Sequence, residues 1–408
     1  MTLYETLLTR GYIAQNTHED EVKHLLNNEK IHFYIGFDPT ADSLHVGHFL
    51  TIMAMSILQN HGHIPVLLIG GGTAMIGDPS GRQDMRKIMT LEQIQQNANN
   101  FKNQLSRFIT FENNAAIMAN NADWLRDINY INFLRDYGTH FSVNRMLTAD
   151  AYKSRLDQGL TFLEFNYMIL QAYDFLVLNE KYNCIMQLGG RDQWSNIIAG
   201  VDLIRRIKSK DAYGLTLSLL ETSEGLKMGK TAKGALWLDK NKTTPYEFYQ
   251  YFRNVDDKSV IKCLKLLTFV EDEKITELEQ LKGKDINKAK ILLAFEITKL
   301  VHGEEEALKA ENAAKSLFLK EEVGEDSVPT ITLPKKDISE GIDIITLLSG
   351  ANLISSRSEG RRLILQNGIK INGTTVNDIE YNVSIKDILD NHISIQKGKK
   401  NFCKVLFD

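Results

Sequence analysis

Apolar and polar positions follow two periodicities along the chain, and the changes from one to the other divide it. Ile31-His32-Phe33-Tyr34-Ile35-Gly36-Phe37 is a short apolar run of strand composition, followed by a turn, Asp38-Pro39-Thr40-Ala41-Asp42-Ser43. From Phe49 to Leu58 the apolar residues form a helical run that Gly62 closes, and Ile64-Pro65-Val66-Leu67-Leu68-Ile69 is a second strand. The pattern predicts a β–α–β unit. Tyr182-Asn183-Cys184-Ile185-Met186-Gln187-Leu188 reads as a later strand, with a glycine turn and a helix from Trp194 to Arg205 behind it. Leu91 to Asn121 is polar and reads as helical, inserted between sheet halves. Residues 1–235 are therefore expected to be an α/β domain built on a Rossmann-like parallel sheet.

Downstream the alternation stops. From Pro245 to about Phe318 the spacing is helical, as in Ile286-Asn287-Lys288-Ala289-Lys290-Ile291-Leu292-Leu293-Ala294-Phe295, so 236–320 is expected to be a helical domain. Residues 321–340, with Glu321, Glu322, Gly324, Glu325, Pro329 and Pro334, read as a linker. Residues 341–408 are expected to form a small α+β domain. Ile354 to Ile364 is a capped basic helix, and Gln366-Asn367-Gly368-Ile369-Lys370-Ile371-Asn372-Gly373 is a strand and tight turn.

Composition narrows the classes. At 408 residues, with 25% charged and 43% hydrophobic positions, the chain reads as a soluble globular protein of more than one domain. It has no run of 18 apolar residues, so no membrane span is expected. The N-terminal residues have neither a signal h-region nor an Arg-rich transit composition. Cys184, Cys263 and Cys403 are far apart and form no CxxC pair, which argues against structural zinc and a disulfide framework and fits a cytoplasmic location. The net charge of −4 hides an asymmetry. Residues 341–408 carry nine Lys/Arg against seven Asp/Glu, a net of +2, which leaves −6 on residues 1–340. A basic end on an acidic body suits a polyanion partner.

The candidate chemistry begins at His45-Val46-Gly47-His48, which opens the first helix. A helix start presents free N–H groups and a positive partial charge, so it is a site for an anion. Two histidines three apart share one face there, and Gly47 lets a ligand lie against the backbone. A nucleoside triphosphate is the expected guest; surface capping is the other use of such histidines. Much later, Gly225-Leu226-Lys227-Met228-Gly229-Lys230-Thr231 forms a glycine-rich basic loop. Between them Tyr167, Gln171 and Asp174 stand at i, i+4 and i+7 in an apolar segment, so their polar tips share one helix face and need a partner.

The two basic segments resemble the HIGH and KMSKS signatures of class I aminoacyl-tRNA synthetases, in the family's order and separation. Tyr167, Gln171 and Asp174 resemble the helix of the bacterial tyrosine-specific branch, and the likeness extends over nearly the full chain. It implies ATP and tyrosine as substrates, with Mg²⁺ accompanying the triphosphate, no tightly bound cofactor and no dedicated metal site. Tyr34 and Asp174 would then surround the substrate phenol, and Asp78, Tyr167 and Gln171 its ammonium, with Gln187 and Gln193 orienting it. Gly36, Asp38, Gly47, His48, Thr51, Gly190 and Asp192 would hold ATP, and Thr40 and His45 its leaving phosphates. Lys227, Lys230 and Thr231 would close over the pyrophosphate, with Arg82 and Arg86 nearby. The last segment resembles an S4-type RNA-binding domain, which implies tRNA(Tyr) as partner through Arg357, Arg361, Arg362 and Lys370. A homodimer with one tRNA across both subunits is also implied. The departures are mild: Gly229 and Thr231 stand for two serines of the general motif, and Ile35 and Val46 occupy variable positions.

Other readings share part of this pattern. Pantothenate ligase and the cofactor-forming adenylyltransferases carry a HIGH-like motif but are shorter and lack the Tyr167/Gln171/Asp174 face. A tryptophan-charging relative normally lacks the phenol-binding aspartate and the C-terminal segment. A non-catalytic RNA-binding descendant would have been free to lose His45, His48, Lys227 and Lys230.

Overall fold

The computed structural model describes residues 1–78, 89–157, 159–225, 227–231, 234–319, 329–339, 341–389, 391–398 and 401–408. They form two compact units, Met1–Lys242 with Val255–Ala289, and Thr243–Asn254 with Lys290–Asp408.

The first unit is built on a six-stranded sheet. Its strands are β1 (Ile13–Asn16), β2 (His32–Phe37), β3 (Ile64–Ile69), β4 (Ile117–Asn120), β5 (Cys184–Gly190) and β6 (Tyr213–Leu217), in the order β1-β6-β5-β2-β3-β4. Strands β2 to β6 are parallel, as the pattern predicts. The expectation of a wholly parallel sheet is corrected at β1, which pairs antiparallel with β6. That strand is four residues long and largely outside the core, so it leaves no apolar signature; an antiparallel edge on a parallel sheet is common.

A second correction concerns 91–121. It is not an insertion between sheet halves but a helix, α2 below, followed by edge strand β4 paired with β3. Ile117-Met118-Ala119-Asn120 is too short for alternation to be visible. The helices that matter here are α1 (Val46–Asn60), α2 (Leu91–Leu105), α3 (Phe162–Tyr182), α4 (Trp194–Lys208) and α5 (Val260–Leu267). The chain runs β2–α1–β3–α2–β4 outward, crosses through a helical excursion ending in α3, and resumes at β5 on the other side of β2. Strand order thus reverses between β2 and β5, the place where open α/β sheets bind ligands beyond the strand carboxyl ends.

The second unit contains helices and a five-stranded sheet, in the order Thr374–Val376, Ile369–Ile371, His392–Lys397, Asn401–Phe407, Thr330–Leu333. Its core gathers Ile344, Leu347, Leu348, Ile364, Ile369, Ile393, Ile395 and Val405. The helical region expected as one domain is divided, because Val255–Ala289 clusters with the first unit. The linker reading is corrected where it is described: Thr330–Leu333 is a strand parallel to Asn401–Phe407, with Ile331 and Leu333 packed on the core. Residues 321–328 and 340 lie outside the described residues. The basic helix spans Arg357–Leu365, where Ser356 accepts from the Glu359 N–H at 3.2 Å. The tight turn is Asn372-Gly373, with φ of 48° and 81°, a hairpin conformation these two residue types adopt at little cost.

The start of α3 is set by a buried ion pair. Thr161 caps the helix and forms a capping box with Glu164. The Glu164 carboxylate also accepts from Arg155 at 2.9 Å, with both side chains only 5–6% exposed. Removing one partner strands a buried charge. We expect Arg155→Met to lower the unfolding free energy by about 3–5 kcal/mol, read as a denaturant midpoint shift at unchanged slope. A loss below about 1 kcal/mol, the range of exposed pairs, would mean that water reaches the pair.

Candidate active site

The N-terminus of α1 is where the sequence reading placed it, and its two histidines do cap the helix. His45 is the N-cap; its Nδ1 accepts from the Gly47 N–H at 3.0 Å, while His48 Nδ1 accepts from the His45 N–H at 3.2 Å. Their rings stack 4.0 Å apart. Capping and anion binding are compatible, since a ligand oxygen can replace a ring nitrogen at the same N–H groups. Gly47 is required by this arrangement, because a Cβ there would come within 2.7 Å of the His45 ring. The distant glycine-rich loop meets the same helix start. Gly229, at φ 83°, lies against Val46, where a Cβ would stand 3.0 Å from the Val46 Cβ. The Leu236 N–H donates to the Gly229 carbonyl at 2.7 Å and the Val46 N–H to the Leu236 carbonyl at 2.9 Å. Arg82 and Arg86 lie outside the described residues, as do the side chains of Lys230 and Thr231.

A cavity of about 450 Å³ opens beyond the carboxyl ends of β2 and β5. Its lining includes Tyr34, Gly36, Asp38, Thr40, His45, Gly47, His48, Thr51, Asp78, Tyr167, Gln171, Asp174, Gln187, Gly190, Asp192, Gln193 and Lys227. Every residue expected around tyrosine or ATP whose side chain is described is among them.

Asp174 and Tyr34 lie at the cavity's buried end, each 1% exposed. Asp174 accepts from Trp124 Nε1 at 2.8 Å and from Asn121 Nδ2 at 2.9 Å. Burial pushes its carboxyl up to about 7, against the partial relief of those two hydrogen bonds and with the Asp38 charge adding to it. Burial, and then the Asp174 charge, raises the Tyr34 phenol well above its ordinary value. The Tyr34 hydroxyl has no hydrogen-bond partner among the described residues, and neither has the buried Gln187 Oε1. Two orphaned polar groups in one buried region are unfavourable unless a ligand completes them. Asn121 Nδ2 also reaches Thr73 Oγ1 at 3.0 Å, Thr73 donates to Asp38 at 2.9 Å, and the Tyr167 hydroxyl donates to Asp38 at 3.2 Å.

A second polar set stands on α3 and α4. Gln193 Nε2 donates to Asp78 at 2.8 Å, and Asn196 Nδ2 reaches Gln171 Oε1 at 3.1 Å and Gln193 Oε1 at 3.2 Å. Asp192 folds over Gly190, where a Cβ would come 2.6 Å from its carboxylate. Sequence reasoning missed Asn121, Trp124, Thr73 and Asn196. The available signal was Asn120-Asn121-Ala122-Asp123-Trp124, polar residues and a tryptophan just past a short apolar run. Of the expected RNA contacts in the second unit, Arg357, Arg361 and Arg362 are exposed and Lys370 is half-buried; Arg357 lies 3.6 Å from Asp343.

A mostly parallel sheet with its cavity at the strand-order reversal, lined by the start of α1 and by Lys227 to Gly229, is the arrangement of a nucleotide-binding α/β protein. Residues 26–319 match the family model of class I tRNA synthetases (W and Y), and residues 321–405 that of the tyrosine–tRNA ligase SYY-like C-terminal domain. A tyrosine–tRNA ligase of Acetivibrio thermocellus is 60% identical over 99% of both chains. One of Clostridium botulinum (strain 657) is 56% identical over 100% of both. A C-terminally truncated mitochondrial tyrosyl-tRNA synthetase of Aspergillus nidulans superposes with a TM-score of 0.69 at 29% identity, covering 78% of this chain and 94% of that one. The chain belongs to the tyrosine–tRNA ligase family of class I tRNA synthetases.

The Asp174 shift has a consequence for stability. Its ordinary value is 3.8 and its folded value about 7, so between them the folded chain holds a proton that the unfolded chain has released. This contribution is fully present below 3.8 and is lost as the pH rises to about 7. Thermal midpoints of the native chain and Asp174→Asn, compared across that window, should show the native chain losing ground as the pH rises and the difference levelling off above it. A constant difference would mean Asp174 is ionised throughout.

Proposed function

We propose that this chain activates tyrosine with ATP, forming tyrosyl-adenylate and pyrophosphate, and then transfers the tyrosyl group to the 3′ end of tRNA(Tyr). The observation that carries the choice of amino acid is the buried pair at the cavity's end. A carboxylate and an orphaned hydroxyl suit a phenol, which can donate to Asp174 and accept from Tyr34. Asp78, Tyr167 and Gln171 take the ammonium, and Gln187 and Gln193 orient the substrate.

The tyrosine carboxylate is itself the nucleophile, so no general base is needed. It attacks the α-phosphorus in line; a new P–O bond forms as the bond to the β-phosphate oxygen breaks and pyrophosphate leaves. The work of the protein is positioning and charge stabilisation. ATP enters as its magnesium complex. Gly36, Asp38, Gly47, His48, Thr51, Gly190 and Asp192 hold the nucleotide. Thr40 and His45 grip the departing phosphates, and Lys227, Lys230 and Thr231 close over them on the loop.

The basic helix of the second unit serves the RNA, with Arg357, Arg361 and Arg362 exposed on it and Lys370 half-buried on the strand that follows. A homodimer is supported by exposed apolar side chains in the excursion before α3 and at its start: Tyr130, Ile131, Val143, Leu156, Phe162 and Leu163. Phe162 is 68% exposed, which is costly for a side chain of its size unless a partner covers it. A cytoplasmic setting agrees with the three buried thiols. Among the described residues no helix is long and apolar enough to cross a membrane.

ATP–pyrophosphate exchange with each amino acid in turn tests the function, and exchange with tyrosine alone is the expected outcome. Exchange driven equally by phenylalanine or tryptophan would sink it. If Thr40 and His45 act on the leaving phosphates, changing both to alanine should cut kcat at least about 100-fold with little change in KM for ATP or tyrosine. Raised KM at unchanged kcat would make them ground-state binding residues instead. Phe162→Asp should convert a dimer to a monomer in sedimentation equilibrium; a variant that remains dimeric would place the interface elsewhere, and a monomeric native chain would overturn the homodimer.

A further inference from the structure

Antiparallel backbone pairing joins the segment after the glycine-rich loop to the start of α1. His45 stands opposite Trp237 in an isolated bridge; the Val46 N–H donates to the Leu236 carbonyl and the Leu238 N–H to the Leu44 carbonyl, both at 2.9 Å. Leu236 and Leu238 are buried and anchor the segment, while Trp237 between them is only partly buried. Its ring makes a T-shaped contact with the His45 imidazole, with centroids 5.9 Å apart, while His45 stacks on His48 with centroids 4.0 Å apart. The Lys242 ammonium lies 5.1 Å from the centre of the Trp237 ring and pairs with Asp42 at 2.7 Å. Asp42 belongs to the same turn as Thr40.

We propose that Trp237 is a positioning residue for the His45 imidazole, and that Lys242 and Asp42 clasp its ring to the turn carrying Thr40. A histidine ring at an N-cap has more than one rotamer, and a ring stacked on one side alone can swing away from it. The T-shaped contact with Trp237 gives the His45 ring a second aromatic neighbour besides His48. The cation over Trp237 restrains that ring in turn. The segment after the loop thereby sets the geometry of both residues assigned to the leaving phosphates. This inference rests on the role proposed above for His45.

The backbone pairing does not depend on the side chain at 237, so substitution there isolates the ring contact. Trp237→Leu should lower kcat for tyrosine-dependent pyrophosphate exchange by about 10- to 100-fold, the scale of a misplacement near 1 Å, with KM for tyrosine unchanged. Trp237→Phe, which keeps an aromatic edge, should recover most of the activity, and Lys242→Met should cost only about 2- to 5-fold. The deciding readout is a double-mutant cycle. Trp237→Leu combined with His45→Ala should be no slower than His45→Ala alone, because the tryptophan acts through a ring that is gone. Additive losses, or a phenylalanine variant as slow as the leucine one, would overturn the proposal and leave the His45 role standing. Unchanged kcat in His45→Ala alone would overturn the reading beneath it. Should the leucine variant fail to fold, Lys242→Met carries the cycle: its loss should vanish in the His45→Ala background, and a loss that persists there would overturn the proposal.

Discussion

A carboxylate that is 1% exposed must be held by donors, and much of the first unit's layout follows from holding Asp174. The donors come from just past β4, where Asn121 and Trp124 reach the two carboxylate oxygens. Asn121 leads to Thr73 after β3, Thr73 to Asp38 after β2, and Asp38 to Tyr167 on α3. One polar chain thus ties the carboxyl ends of three neighbouring parallel strands to the helix that crosses behind them. What it leaves unsatisfied is Tyr34, on β2 beside the strand-order reversal. The polar network and the orphaned Tyr34 hydroxyl thus lie together at the strand ends of the sheet.

The nucleotide side obeys a different constraint. The phosphate binding proposed above needs backbone N–H groups and cations brought close, and two segments far apart in sequence meet at one helix start. Gly47 allows His45 to fold back on the helix, and Gly229 allows the loop to lie on Val46; a Cβ at either position would meet a neighbour at 3.0 Å or less. Each glycine is set by a close approach. In the reaction proposed above, tyrosine brings the nucleophile and ATP the leaving group, which leaves this arrangement the work of placing them and stabilising charge.

Much of the site was legible from spacing. Tyr167, Gln171 and Asp174 follow the helical period, so their common face is legible in the sequence, and the two motif segments stand out by glycine with histidine in one and with lysine in the other. Asn121, Trp124, Thr73 and Asn196 were not legible, because they come from strand ends and helix starts and act through other residues. The same limit applied to the fold. The long apolar runs of β2, α1 and β3 were visible, whereas β1 and β4, four residues each, lie at the sheet edges where little is buried. The strand Thr330–Leu333 was hidden by flanking prolines and acidic residues that read as a linker, and its partner strand lies about seventy residues onward.

In the site proposed above, the buried pair Tyr34 and Asp174 receives the phenol hydroxyl of the substrate. Equilibrium binding of tyrosine and of phenylalanine to the intact chain, without ATP, tests it directly. Two substrates of nearly equal apolar surface then differ by one hydroxyl, which either pairs the orphaned Tyr34 hydroxyl and adds a donor to Asp174 or does neither. At about 1–3 kcal/mol for the group left unpaired, tyrosine should bind about 10- to 100-fold more tightly. Affinities within a few-fold of each other would contradict the account.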